Sequence, residues 1–143
     1  MLILKLIGLI KIITIFNFLN SLKIISGKYK NQELRGFPNQ SVRPTSAIVK
    51  KSLFQILEPF SDKKVLDLFA GVGSLGIESL SRGASSATFI EKNKKVFSIL
   101  SYNMNKICQH DNYDVINRDV HNYIKGCTQK YDIIFADPPY ETI

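Results

Sequence analysis

The sequence predicts an α/β fold built on a parallel sheet, and two observations support this. After Asp62, short runs rich in β-branched and aromatic residues alternate with helical patterns. A glycine-rich turn also joins the first of these runs to the first helix. Alternating strands and helices form right-handed crossovers, which make the sheet parallel. The 143 residues are enough for one such domain with a buried core.

The front segment, residues 22–62, is predicted to be a short β-hairpin followed by a helix. β-Branched residues precede Gly27, and residues 30–32 supply turn chemistry, so the hairpin spans 22–37. Thr45 can cap a helix over 47–57, which the Glu58-Pro59 dipeptide ends. One face of this helix is predicted to be apolar (Ile48, Leu53, Ile56 and Leu57), with Lys50, Lys51 and Gln55 pointing elsewhere.

Residues 63–143 carry the predicted sheet. The strands are expected over 64–69, 87–90, 114–117 and 131–136. The helices are expected over 74–82, 93–107 and 119–125, the first ended by Gly83 and the last by Gly126. Four parallel strands therefore follow one another in this part of the chain.

The first 21 residues form an apolar extension of doubtful role. Nearly every position is apolar, so the segment has no amphipathic stripe. Its longest uncharged stretch, residues 12–22, is about half of the roughly 20 residues that a membrane span needs. Membrane contact by residues 1–20 is therefore not expected. An interfacial anchor, an uncleaved signal-like segment and an extension from an upstream start codon remain open, and the last is favoured.

Composition and charge narrow the function classes. Two cysteines without metal-ligand spacing exclude a disulfide scaffold and a zinc module, and they indicate a reducing, cytoplasmic compartment. The formal net charge is +7, and residues 22–62 hold seven basic groups against three acidic ones, whereas residues 63–143 are nearly balanced. A basic arm on a neutral domain suits a polyanion, although an AT-rich coding sequence would also raise the lysine content. Lys28, Lys30 and Arg35 are candidate nucleic-acid contacts.

The segment D-L-F-A-G-V-G-S-L-G, residues 67–76, contains G-x-G-x-x-G between a strand and a helix. Glu91 lies 20 residues after Gly71, where an acid can bind ribose hydroxyls. Asp67 would repel a pyrophosphate but would attract the cationic methionine part of S-adenosylmethionine, and the following helix N-terminus favours anions. Phe69 can line the adenine. An NAD-dependent dehydrogenase is disfavoured. Asp67 could alternatively be a helix cap or a surface acid.

The second motif is D-P-P-Y, formed by Asp137, Pro138, Pro139 and Tyr140 directly after the last predicted strand. The prolines stiffen a loop at the ligand-binding edge of a parallel sheet. The Asp137 carboxylate and the Pro138 carbonyl could accept both hydrogens of an exocyclic amine, which turns the nitrogen lone pair out of the ring plane. Tyr140 offers a face for stacking an unpaired or flipped base. An ordinary proline-rich turn is the alternative.

Together these segments resemble the bacterial small-subunit rRNA guanine-N2 methyltransferases of the RsmD type. The resemblance rests on D-L-F-A-G-V-G-S-L-G-I-E-S-L-S-R-G-A, F-I-E and D-P-P-Y, with I-S-G-K-Y-K-N-Q-E-L and R-P-T in front, and covers about residues 22–140. It implies a Rossmann-like fold and S-adenosylmethionine-dependent methylation of a guanine N2 amine in 16S rRNA by a cytoplasmic monomer without a metal.

The same resemblance assigns site residues. It implies that Asp67, Gly71, Gly73 and Glu91 surround the cofactor and that residues 137–140 surround the base. Asp119 matches the position that contacts the adenine amino group, with a helix N-cap as an equally good and compatible role. Arg43 and Thr45 are implied to bind RNA or to close over the site, with simple entry into the helix as the alternative.

Two departures from the family pattern shape the remaining expectations. Members of the family begin near Leu22, and their sheet continues with three further strands after the position of Tyr140. We therefore expect a truncated methyltransferase with an incomplete sheet and a bare edge on its fourth strand, a state that favours aggregation or pairing. A DNA adenine or cytosine amino-methyltransferase and a non-catalytic nucleic-acid-binding remnant stay open as alternatives.

Overall fold

A computed structural model of the chain describes residues 2–7, 10–15, 22–37 and 44–138, with side chains for 22–37 and 47–138. The strands are β1 (Leu2–Ile7), β2 (Ile10–Ile15), β3 (Lys64–Asp67), β4 (Ser86–Ile90), β5 (Tyr113–Ile116) and β6 (Ile133–Ala136). The helices are α1 (Pro44–Leu57), α2 (Ser74–Ser81), α3 (Lys94–Ile107) and α4 (Val120–Gly126). From residue 63 onward every predicted strand and helix is present, with bounds shifted by one or two residues.

The strands form one sheet in the order β1-β2-β6-β3-β4-β5. All neighbours are parallel except β1, which is antiparallel to β2. The predicted α/β fold is confirmed. However, the expectation that β6 has a bare edge is wrong, because β2 pairs with it from Lys11↔Ile133 to Thr14↔Ala136. The β2 sequence I-K-I-I-T-I is rich in β-branched residues and has high strand propensity, and pairing satisfies backbone groups of both strands.

Side chains on the sheet alternate between two apolar cores. Val65, Phe89 and Phe135 face the core that is shared with α1, α2 and α3. Leu66 and Ile90 face a smaller core under α4. Because successive strand residues point to opposite faces, this alternation sends the next side chain of β3, Asp67, toward the larger core.

Local signals fix the helix ends. The Asn93 side chain accepts hydrogen bonds from the amides of Lys95 and Val96 at 3.0 and 3.1 Å, which caps α3. Beyond the C-terminal end of α2, Gly83 has φ 108°, a conformation that favours glycine and ends the helix. No helix in the described part of the chain is long and apolar enough to span a bilayer.

Residues 22–37, hereafter the arm hairpin, form a tight antiparallel turn with a bridge between Lys23 and Glu33. The arm hairpin packs on the C-terminal end of α2, where the Ser81 carbonyl accepts from the Lys28 amide at 2.8 Å. Gly27 has φ +87°, and a Cβ there would lie 1.9 Å from the Ser81 oxygen. Only glycine permits this close approach of the arm hairpin to α2.

The predicted apolar face of α1 is half correct: Leu53 and Leu57 are buried, but Ile48 and Ile56 are not. Ile48 and Ile56 are 66% and 59% exposed, whereas Lys50 is fully buried. The buried face instead follows Lys50, Leu53, Phe54 and Leu57. The predicted and the observed faces both have helical spacing. The observed face includes Lys50 because Lys50 forms a buried ion pair with Glu78.

Candidate functional site

The carboxyl ends of the parallel strands bring the predicted acidic residues to one edge of the sheet. Asp67 pairs in register with Phe135 on β6 and with Phe89 on β4. Asp137 and Glu91 each lie two residues beyond those partners. The three carboxylates therefore follow three adjacent strands at the edge where parallel sheets bind ligands.

Asp67 is the buried centre of this edge. Its residue is 1% exposed, and neither carboxylate oxygen has a hydrogen-bond partner among the described residues. The pKa of Asp67 is raised from 3.8 to about 8, chiefly by burial and then by the negative charges of Asp137 and Glu91. The backbone amides of Gly76 and Phe69 point toward it and offset part of this rise.

A buried carboxylate without a partner is costly, and a cationic group would relieve that cost. Asp67 therefore fits a ligand that presents a positive charge at the end of β3. It does not fit a pyrophosphate. The described residues contain no group of three or more His, Cys, Asp or Glu side chains arranged to hold a metal ion.

The turn after β3, residues 70–74, is called the glycine loop below. Gly71 and Gly73 have φ 56° and 103°, in the left-handed region where other residues are strained. A Cβ on Gly71 would meet nothing within 4 Å, so this side of the loop is open for a ligand. A Cβ on Gly76 would lie 2.2 Å from the Phe89 ring, so the third glycine allows α2 to pack closely on β4.

The other predicted cofactor residues lie around the same edge. Phe69 is half-buried against the core under α4. Glu91 is half-buried, and the Asn117 side chain fixes its loop by donating to the Glu91 carbonyl at 2.8 Å. Asp119 caps α4 by accepting from the His121 amide at 2.9 Å, so its predicted structural role is confirmed. A contact of Asp119 with adenine stays a prediction.

The predicted base-binding motif is described only in part. Asp137 and Pro138 are half-buried directly after β6, beside the glycine loop of the neighbouring strand. Pro139 and Tyr140 lie outside the described residues. Asp137 is therefore close to Asp67, and a contact of Asp137 and Pro138 with a base stays a prediction.

The predicted nucleic-acid residues differ in their surroundings. Lys28 is half-exposed but forms an ion pair with Asp111, which compensates its charge. Lys30 is exposed, and the exposed Arg35 stacks its guanidinium 4.4 Å from the centre of the Tyr102 ring. Arg43 and the side chain of Thr45 lie outside the described part of the chain.

Two buried polar groups were not predicted from the sequence. Glu78 on α2 accepts from the amides of Ile25 and Ser26, from Arg82 and from Lys50. Asn103 on α3 is fully buried among apolar residues of its helix face. The sequence indicates such a residue only by a polar side chain at a position where the helical periodicity is apolar. This pattern does not show which residue it will bond to.

Comparison with known proteins identifies the family. A family model described as Conserved hypothetical protein 95 matches residues 22–143. The chain belongs to this family. Its curated relatives include the Ribosomal RNA small subunit methyltransferase D of Buchnera aphidicola subsp. Baizongia pistaciae, 39% identical over 126 residues, and that of Haemophilus influenzae, 35% identical over 128 residues. The resemblance predicted from the sequence is confirmed.

These matches cover 87% of this chain and 64% and 66% of the two relatives. The chain thus spans just under two thirds of the length of these family members. Among solved structures, "Putative methyltransferase yhhF" from Escherichia coli is 32% identical with a TM-score of 0.73, over 83% of this chain and 64% of that one. The "putative methylase HI0767" of Haemophilus influenzae is 34% identical with a TM-score of 0.68, over 84% and 65%. The Rossmann-like methyltransferase fold is confirmed.

Proposed function

We propose that the chain is an S-adenosylmethionine-dependent methyltransferase that acts on the exocyclic N2 amine of a guanine in small-subunit rRNA. The observation that carries this proposal is Asp67, a buried carboxylate without a hydrogen-bond partner in the described structure, between the glycine loop and the Asp137-Pro138 segment. The printed names of the relatives support rRNA as the substrate.

The cofactor would be held by the residues at the carboxyl edge of the sheet. The Asp67 carboxylate supplies the negative charge that a methionine ammonium and sulfonium require, and the N-terminus of α2 favours the methionine carboxylate. Glu91, at the end of β4, can accept both ribose hydroxyls. When bound, this cofactor supplies a methyl group on a positively charged sulfur.

Asp137 and Pro138 would orient the base. A carboxylate oxygen and a backbone carbonyl can accept the two amine hydrogens, so that the nitrogen lone pair faces the methyl group. This contribution is one of positioning, and Asp137 need not be a strong base, since the amine becomes acidic only after it is methylated. Tyr140 would stack on a flipped or unpaired guanine.

We propose rRNA of the small ribosomal subunit as the partner, a cytoplasmic location and a monomeric state. The basic residues of the front segment, among them Lys30 and Arg35, support an RNA contact.

Cofactor binding tests the first half of the proposal. Titration calorimetry with S-adenosylhomocysteine is expected to give binding that Asp67→Asn weakens about 100-fold, because a buried charge contact is worth about 2–3 kcal/mol. Asp114→Asn removes the same charge from an exposed position on β5 and is the matched control. Absence of binding in a folded wild-type sample would refute the cofactor assignment.

Methyl transfer tests the second half. Undermethylated 30S particles, protein-free 16S rRNA and duplex DNA with adenine and cytosine targets are each incubated with the chain and labelled S-adenosylmethionine. We expect label on guanine N2 in the ribosomal substrates alone. Label on the DNA would favour the amino-methyltransferase alternative, and cofactor binding without transfer to any substrate would favour the remnant.

A further inference from the structure

Two buried side chains connect the glycine loop to the front segment of the chain: Asn103 on α3 and Lys50 on α1. Asn103 on α3 donates from Nδ2 to the Val72 carbonyl at 2.8 Å, inside the loop. The same amide nitrogen donates to the Arg35 carbonyl at 3.0 Å, and its oxygen accepts from the Arg35 amide at 2.8 Å. One fully buried side chain therefore joins the glycine loop to the end of the arm hairpin.

A second connection lies at the other end of the loop. Lys50, which is fully buried on α1, donates to the Ser74 hydroxyl at 2.9 Å. Lys50 also lies 3.2 Å from the Glu78 carboxylate, which in turn accepts from the Ile25 and Ser26 amides of the arm hairpin at 2.9 and 3.1 Å. Ser74 is thus bonded directly to the front segment, and Val72 is linked to it through Asn103.

These connections add to the loop's own backbone hydrogen bonds, which run from the Gly73 amide to the Ala70 carbonyl and from the Ala70 amide to the Ile90 carbonyl, each at 2.9 Å. Gly71 and Gly73 flank Val72, and residues without a Cβ allow a wide range of backbone conformations. A loop of this kind is positioned by its neighbours, and here the neighbours are Asn103 and Lys50.

We propose that Asn103 is a positioning residue that couples occupancy of the glycine loop to docking of the arm hairpin, so that cofactor binding prepares the RNA-contacting surface. This inference rests on the proposed function of the loop. Arg35, whose backbone Asn103 holds, places its guanidinium on the adjacent Tyr102 ring at the exposed surface. One buried amide therefore links the cofactor loop to a basic side chain on the outside of the fold, and linkage requires the effect to be reciprocal.

Hydrogen exchange of the full chain, with and without S-adenosylhomocysteine, tests the coupling. In the wild type the ligand is expected to slow amide exchange both in the glycine loop and in the arm hairpin, about 40 residues away along the chain. In Asn103→Ala the loop is still slowed at saturating ligand, the hairpin is not, and the affinity for the ligand falls about tenfold.

Two further variants separate coupling from loss of stability. Gly27→Val prevents docking of the hairpin at Ser81 without touching the loop, and we expect it to weaken the ligand about as much as Asn103→Ala. Tyr131→Phe removes buried hydroxyl contacts to Tyr123 and Thr88 near the amino end of β6. This control is expected to lower stability to a similar degree and to leave the affinity within about twofold.

The outcomes are distinguishable. Slower exchange in the loop with no change in the wild-type hairpin overturns the coupling and leaves the proposed function standing. Wild-type affinity in Asn103→Ala or in Gly27→Val, with the hairpin undocked, also overturns it. No slowing anywhere in the folded wild type refutes the cofactor assignment itself. If both variants fail to fold, the wild-type comparison alone decides.

Discussion

Replacement of Asp67 by Asn should make the ligand-free protein more stable at alkaline pH while it weakens cofactor binding. Asp67 is 1% exposed and lacks a hydrogen-bond partner within the described structure. Burial, followed by the charge of Asp137, raises its pKa from 3.8 to about 8. Asparagine keeps the shape of the side chain and removes the charge that the site must otherwise bury.

The direction of the pH dependence follows from the raised pKa of Asp67. Between pH 4 and 8 the folded protein holds a proton at Asp67 that the unfolded chain releases, so the free energy of unfolding falls as the pH rises. The loss is complete above the folded pKa. A shift of this size corresponds to about 6 kcal/mol in total and to about 3 kcal/mol between pH 5.5 and 8.5.

Urea denaturation followed by circular dichroism measures this difference. At pH 5.5 and 8.5, wild type, Asp67→Asn and Asp114→Asn are unfolded in parallel. The stability gained by Asp67→Asn over wild type should be about 3 kcal/mol larger at pH 8.5 than at pH 5.5, whereas Asp114→Asn should track the wild type.

Parallel pH profiles for Asp67→Asn and wild type would show that this carboxylate is already solvated or paired, and the argument from burial would fail.

Ligand binding gives a second test of the raised pKa of Asp67. A cation bound against Asp67 lowers its pKa, so S-adenosylhomocysteine binding near pH 7 should release a proton, seen as a buffer-dependent enthalpy in calorimetry. A buffer-independent enthalpy would contradict the contact.

Three further predictions concern packing, the buried ion pair and a helix cap. Gly76→Ala places a Cβ 2.2 Å from the Phe89 ring and should lower the free energy of unfolding, measured in urea, by about 2–3 kcal/mol. An unchanged stability would show that α2 can shift and would contradict the prediction. Glu78→Gln leaves Lys50 buried without its counter-charge and should lower the free energy of unfolding by about 3–5 kcal/mol. The double variant with Lys50→Met should recover most of this loss, and the absence of recovery would contradict the role of the ion pair. Asp119→Ala removes the cap of α4 and should cost about 1 kcal/mol by thermal unfolding, which Asp119→Asn should restore; an equal loss in both variants would contradict the cap.

The sequence predicted the part of the fold that local patterns determine. The alternation of strands and helices after residue 62, the glycine loop and the stop at Gly83 depend on residues close in the chain, and each was found. The placement of Asp67 and Asp137 at one edge followed from the parallel topology. The contact between Asp119 and adenine, and the roles of Pro139 and Tyr140, stay predictions.

The errors arose where distant residues decide the structure. Lys50 is buried on α1 because Glu78, far along the chain, neutralises it, and no periodicity within the helix could reveal that partner. Asn103 likewise joins Arg35 to Val72, three segments that only the folded chain brings together. The expectation for the β6 edge failed for the same reason, since the pairing strand lies at the opposite end of the sequence.

The pairing of β2 with β6 has a consequence for how the sheet is assembled. Lys11 pairs with Ile133, so the two residues of this contact are about 120 positions apart in the chain. Contacts between such distant residues form slowly because a long loop must close first. During synthesis the apolar β1 and β2 segments emerge from the ribosome long before β6, and β2 cannot pair with β6 until then. Until β6 emerges, the two apolar strands must be kept from aggregating, either by pairing with each other or by binding a chaperone.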